Sequence, residues 1–407
     1  MSALLEKFSQ ASLPEIDPAF DLLRRKAQKV LMQHGFPQRK TEAWKYTPIL
    51  LLEKRDWADA DATSAMPNVE LPFDASVLQV HNGRVNPDHI AAIDGVEIRP
   101  LQADEIDTSF YVDHDSTDAF AWLNLARLEQ GWKIHIYASL AQPLALVFTT
   151  DDDFAQAMHP RIVIEVAEGC SAELIEWQDL NGQGLINSVM DISVQANASL
   201  GHVIYRDCGD TALIERSHVL VGQAASYEVH ALDLGGCLTR QDLKVDLTAA
   251  DAATRIHGVA ALNDRQLVDY HTAIQHQVGP SHSHEDFRIL ADDRSMGTFN
   301  GRIYMLPGAD DSHSDMNTAN LLLSENARIN TKPELEIHAE EVTASHGATI
   351  GQLEEAARFY LRSRGLSDVD ALALLKLGFA AAAFDALESD SLREVLVAQL
   401  KTALSQS

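Results

Sequence analysis

Two hydrophobic rhythms divide the chain. In DPAFDLLRRKAQKVLMQHGFP, Leu22, Leu23, Ala27, Val30 and Leu31 recur at helical spacing, which predicts a helix with one buried face. Asp17 suits its N-cap and Pro18 its first turn, while Gly35 and Pro37 supply the stop. RKTEAWKYTPI follows, short and aromatic, ending in a threonine-proline break. Residues 58–115 are rich in Asp, Pro and Asn, with brief apolar stretches. STDAFAWLNLARLEQG then reads as a second helix, capped near Ser116 or Thr117 and stopped by Gly131.

From about residue 132 the period drops to two. WKIHIYA, PLALVFTT, RIVIEVAEG, AELIEWQ, LKVDLTA, GRIYML and ELEIHAEEV alternate apolar and polar positions as half-buried strands do. Small-residue turns recur among them. Aligning their alanines picks out Ala172, Ala198, Ala225 and Ala253, at intervals of about 26, 27 and 28 residues. A coil of that length cannot bury its own apolar edge, so such coils stack and share one core. A meandering β-sandwich with evenly spaced turns fits the same strands; the repeat favours the solenoid.

After residue 347 the helical period returns. GQLEEAARFYLRSRG sets Leu353, Ala356, Ala357, Tyr360 and Leu361 on one side, with Gly365 as the stop. SDVDALALLKLGFAAAAFDAL, capped by Ser367 or Asp368, is apolar nearly all round and should pack against more than one neighbour. SLREVLVAQLKTAL opens with Ser391 and Glu394 in capping-box spacing. The expected organisation is mostly β: an N-terminal helical and mixed domain at 1–131, a solenoid core at 132–346, and a C-terminal helical domain at 347–407.

Charge and composition narrow the function. The 407 residues carry 32 basic and 60 acidic side chains, a net charge of −28 that repels phosphate backbones and anionic lipid. Neither nucleic acid nor membrane is an expected partner. Cys170, Cys208 and Cys237 are too few and too scattered for a disulfide framework or a paired-cysteine metal site, and they suit a reducing cytoplasm. Glu6 and Lys7 stand where a signal peptide needs its apolar stretch, and the run LGFAAAAF is far too short to span a bilayer. No P-loop, dinucleotide fingerprint or nucleophile elbow occurs, so any nucleotide-driven step belongs to a partner.

The candidate chemistry is sparse. His346, in ASHGAT, is either a turn residue beside Gly347 and Ser345 or one ligand of a site completed from elsewhere. His282 and His284 share one face of a strand, which permits metal binding but equally describes a solvated pair, with Glu285 pointing away. GADDSHSDMN, residues 308–317, reads as an acidic surface turn that lacks the spacing of a calcium loop. The cysteines are expected to be small buried apolar residues.

KPELEIHAEEVTASHGATIGQLEEAARFYLRSRGL, with NLLLS at 320–324 before it, resembles the C-terminal signature of the SufB/SufD family of iron–sulfur cluster assembly scaffolds, in its SufD form. RKTEAWKYTPI, AFAWLNLARLEQG and MGTFNGRIYM resemble further segments of the same family. The resemblance implies a right-handed parallel β-helix between helical domains, with no free-standing catalysis. It implies pairing with SufB through the β-helix, with 320–346 as the pairing edge, or a homodimer when isolated. It also implies docking of the SufC ATPase on 352–385, where Phe359, Tyr360, Arg362 and Arg364 are the residues to test. The cluster is then held at the level of the complex, and no cofactor is held stably by this subunit alone. The motif histidine lies at the SufB–SufD junction in this family, a position carried here by His346. A SufB-like chain would show a Cys-Glu-His-Glu-Ala-Thr pattern; here the positions read Ala344, Ser345, His346 and Gly347. Many SufD-type chains have cysteine where Ala344 stands, so sulfur ligands at such a junction must come from the sister subunit. Two alternatives remain: a SufB-like scaffold carrying its own cluster, and a β-solenoid enzyme on polysaccharide using Asp292, Asp293 and Arg294.

Overall fold

Each turn of the chain lays one strand on each of two walls, so consecutive strands go alternately to two sheets. The computed structural model describes residues 3–10, 18–38, 40–57, 66–85, 90, 92–113 and 116–406. The early strands are β1 (Ser76–His81), β2 (Arg84–Val85), β3 (Val96–Pro100), a small hairpin β4 (Val112–Asp113) and β5 (Ser116–Thr117), and β6 (Gly131–Ile136). Then come β7 (Leu144–Thr149), β8 (Ala157–Met158), β9 (Arg161–Val166), β10 (Ser171–Asp179), β11 (Leu185–Val194) and β12 (Ser199–Asp207). The regular turns continue through β13 (Ala212–Val221), β14 (Ser226–Asp233), β15 (Leu238–Leu247), β16 (Ala253–Leu262) and β17 (Leu267–His276). The last are β18 (His282–Ala291), β19 (Met296–Met305), β20 (His313–Leu322), β21 (Arg328–Ile337) and β22 (Thr343–Gly351).

One wall runs β2-β1-β7-β10-β12-β14-β16-β18-β20-β22 and the other β21-β19-β17-β15-β13-β11-β9-β6-β3, with β8 beside β11. From β6 to β22 the pairing within each wall is parallel, which makes the core a β-solenoid, as the alternation predicts. Strands on both sides of the expected 132–346 span join it: β1 pairs with β7, β3 with β6, and β22 runs on to Gly351.

The repeat is real, but its register differs from the alanine alignment. Ser171, Ser199, Ser226, Ala253, His282, His313 and Thr343 form one column, so successive turns take 28, 27, 27, 29, 31 and 30 residues. Ala172 pairs with Leu200, two positions away from Ala198. The small buried residue of each turn sits one place before the column, at Cys170, Ala198, Ala225, Ala252, Ser281 and Ser312, whose carbonyls accept from the next turn's first strand residue. Just ahead of it the backbone usually turns left-handed, at Gly169, Asn197, Ala224, Asp251, Asp311 and Glu341. At five of these six corners a small residue follows directly, Val342 after Glu341 being the exception, which accounts for the composition of most of these turns.

Inward positions fill the bore with Leu174, Ile192, Val219, Ile256, Ile274, Phe287, Phe299 and Met316. The bore also holds charge. Arg206 donates to Glu215 and, at 3.3 Å, to Asp233, and Gln178 donates to Glu215 at 2.9 Å, all essentially without solvent contact. Burial opposes the charge on Arg206, but Glu215 and Asp233 outweigh it and hold the guanidinium protonated. Further along, Glu285 is buried among apolar residues, and that burial pushes its carboxyl up to about 7.

Helices α1 (Ala3–Gln10), α2 (Pro18–His34), α3 (Leu50–Lys54) and α4 (Ala119–Arg127) pack beside the β3-containing wall. In α2 the buried stripe runs through Arg24, Ala27 and Leu31, and Leu22 is 70% exposed, contrary to the expected face. Two residues from Arg24 is over half a helical turn, so Leu22 cannot share that stripe. Gly35, left-handed, donates to Leu31 and ends the helix as expected; Asp17 lies outside the described residues. Helix α4 is capped by Asp118, whose carboxylate accepts from the Phe120 and Ala121 amides, rather than by Ser116 or Thr117.

The RKTEAWKYTPI segment, of which Arg39 lies outside the described residues, fastens this layer to the solenoid. Trp44 stacks on Phe120 at 4.9 Å, and the Arg240 guanidinium covers the Trp44 ring at 4.0 Å. Arg240 also donates to the Ala43 carbonyl and to Asp269, which accepts from the Thr47 hydroxyl too.

At the other end, α5 (Glu355–Ser363), α6 (Asp368–Ala381) and α7 (Asp390–Gln406) lie beside the β22-containing wall. Phe384, Leu392, Leu396 and Leu400 of this tail cover Trp177, Tyr205, Val259 and Leu290. Ser367 caps α6, while α7 is preceded by Ser389, whose hydroxyl accepts from the Leu392 amide, not by Ser391. The apolar α6 packs against α5, α7 and β18, the several neighbours its composition predicts, yet it buries only Ala371 and Ala380 and leaves Val369 76% exposed.

Candidate functional site at the open end of the solenoid

β21 and β22 are the terminal strands of the two walls, and among the described residues no further turn covers them. The inward columns run past the core into solvent. Met305 is followed by Ile337, Asn320 by Ile350 and Met316 by His346. Met305 and Met316 are fully buried, but Ile337 is 43% and Ile350 46% exposed, and His346 is open. His346 is therefore a mid-strand residue on an uncapped apolar end, not a turn residue. Ala344 packs against the core two positions before it. Ser345 points the other way and donates to Asp315 one turn earlier. Gly347 adopts ordinary extended backbone, and its small size serves a close approach instead: a Cβ there would meet the Asn317 side-chain oxygen at 3.2 Å.

The second expected surface lies on α5, which buries none of its residues. The alternative of plain helix packing fails for Phe359, 73% exposed, and for Tyr360, 56% exposed instead of joining a buried face. Arg364 lies over the Tyr360 ring at 5.2 Å, and Arg362 stands 3.5 Å from Asp368.

His282 and His284 share the outer face of β18, and Glu285 points into the bore, as strand spacing requires. His282 stacks on His313 at 5.4 Å, and His284 lies 3.4 Å from Asp315. These residues line an open groove of about 270 Å³. Of 308–317, expected to be an acidic surface turn, only the part before His313 is a turn, because β20 begins there and Ser314 and Met316 are buried. Asp310 accepts from the Glu340 amide at 2.8 Å, a structural use of its carboxylate. Asp292 pairs with Lys376 of α6 at 3.4 Å and Asp293 holds a left-handed corner, so this pair braces a turn. Burial pushes the Cys208 thiol far up and the Cys237 thiol up to about 11, which disfavours the thiolate at both.

Glu228, His230 and His257 carry no signal in the linear sequence. Their ligand atoms lie within 4.8 Å of one another. His230 and His257 are 27 residues apart, and only the register of β14 on β16 makes them neighbours.

Residues 147–379 match the family described as SUF system FeS cluster assembly, SufBD core domain. Over 91% of its length the chain is 28% identical to the iron–sulfur cluster assembly protein SufD of Escherichia coli, covering 90% of that protein. It is likewise 28% identical, over 91% of its length and 88% of the relative, to an iron–sulfur cluster assembly SufBD family protein of Synechocystis. A chloroplastic Arabidopsis thaliana protein, ABCI7, is 30% identical over 51% of this chain and 45% of its own. No helix among the described residues is long and apolar enough to cross a membrane. With a two-walled solenoid, a matching core over more than half its length and near full-length relatives named for the same process, the chain belongs to the SufBD family of iron–sulfur cluster assembly proteins.

Proposed function

We propose that this chain is a non-catalytic scaffold subunit that pairs with a SufB-type sister through β21 and β22 and with a SufC-type ATPase through α5 and α6. The observation that carries the reading is the uncapped end, where Ile337, His346 and Ile350 are exposed on two terminal strands. Terminal strands offer unpaired backbone groups, and exposed apolar columns offer area to bury. In isolation the same end closes a two-fold homodimer. The bare faces of α5 and α6, with Phe359, Tyr360, Arg362 and Arg364, support the second contact.

ATP-driven approach of two ATPase subunits pulls on these helices and opens the sister junction. His346 then serves the nascent cluster as a supplementary ligand or proton carrier. Sulfur ligands come from the sister, because this chain has no cysteine after Cys237. The cluster thus belongs to the complex, and the cytoplasm is its compartment, in keeping with three unpaired cysteines.

Co-purification with the SufB and SufC of the same cell tests the reading. Ile337→Asp with Ile350→Asp should release SufB while SufC stays bound, and Phe359→Asp should do the reverse. Retention of both partners by both variants would overturn it.

A further inference from the structure

On the outer face of the β22-containing wall, β14 presents Glu228 and His230, and β16 presents His257 directly beside His230. The two imidazoles lie parallel, within 4°, at a centroid distance of 4.8 Å. His230 Nε2 donates to the Glu228 carboxylate at 2.8 Å, which leaves His230 Nδ1 without a partner. His257 is more unusual. It is only 6% exposed, and neither ring nitrogen meets a hydrogen-bond partner. Buried polar atoms are normally matched, so a fully unmatched imidazole inside a cluster of ligand atoms needs a reason.

We propose that Glu228, His230 and His257 bind one divalent transition-metal ion of the zinc or ferrous class. Two imidazoles and a carboxylate form a donor set used by both ions, whereas calcium and magnesium prefer oxygen alone.

Ligands at about 2 Å from an ion stand closer together than 4.8 Å, and small rotations of the two rings supply the difference. His257 sacrifices no hydrogen bond in turning. Arg255 and His284 stand beside the cluster and line the neighbouring groove. Arg255 lies 3.3 Å from Glu228 on a largely exposed side chain, so it can swing into solvent as the ion enters. This site goes beyond the scaffold reading and does not depend on it, because it lies three strands from β22 on the outer face, whereas His346 is on the inward face, and it uses no sister subunit.

The test uses the full chain, stripped with chelator and titrated with zinc chloride or, anaerobically, with ferrous ion, reading bound metal after equilibrium dialysis. One ion per chain is expected. Glu228→Gln, at a partly exposed position that tolerates the change, should weaken binding at least about tenfold. His257→Ala should abolish the site, with circular dichroism reporting whether that variant folds; if it does not, Glu228→Gln decides. The double variant His282→Ala/His313→Ala should bind as the parent does. Absence of saturable binding, unchanged affinity in Glu228→Gln, or loss of the ion with His282 and His313 would each overturn the proposal.

Discussion

Met316 and His346 occupy one column a single turn apart, yet Met316 is fully buried while His346 is open to solvent. The next turn makes the difference: β22 covers Met316, and among the described residues no strand covers β22. His346→Ala should therefore leave unfolding free energy within about 0.5 kcal/mol of the parent, as for a surface position. Assembly with SufB and SufC should also persist, while cluster yield in the reconstituted complex falls. A denaturant melt and iron and sulfide analysis on the same preparation check both halves.

Arg206→Met should be among the most destabilising single changes in the solenoid. It strips Glu215 and Asp233 of their counter-charge inside the bore, where neither reaches water. Removing one partner of a buried pair costs about 3–5 kcal/mol. Adding Glu215→Gln and Asp233→Asn should restore much of the loss, because the two carboxylates that Arg206 bridges then carry no charge. Urea midpoints for the single and triple variants measure the effect.

Glu285 should make stability depend on pH. Its carboxyl titrates near 4.5 unfolded and about 7 folded, so between those values the folded chain holds a proton that the unfolded chain has lost. Stability from this group is full below 4.5 and falls as pH rises through 7, by on the order of 3 kcal/mol in all. Glu285→Gln should flatten this slope. Comparing the two proteins' unfolding free energies at pH 5, 6, 7 and 8 isolates the contribution.

Much of the architecture is legible in the chain because strand alternation and turn composition are local signals. The strands of the solenoid, the glycine stop at Gly35 and the turn of Glu285 away from His282 and His284 all follow from spacing, while the choice of a solenoid over a sandwich leans on the repeat and on the family resemblance. Where long-range packing decides, spacing misleads. Leu22 matches a helical stripe, but Arg24 takes the buried side by donating to the Leu128 carbonyl. Ala172 resembles the later alanines, but turns of 27 to 31 residues shift the register under it. Glu228, His230 and His257 were invisible for the same reason. Within one strand the eye finds His282 and His284; pairing His230 with His257 requires the turn length.

The clasp formed by Trp44, Thr47, Arg240 and Asp269 has a consequence for biosynthesis. Thr47 bonds a residue 222 positions downstream, and Ala43 one 197 positions downstream. The amino end leaves the ribosome first, but its seat does not exist until two-thirds of the polypeptide has emerged. A tryptophan made early can stack on Phe120 but must wait for the Arg240 that covers its other face, the circumstance in which a nascent chain most needs a chaperone.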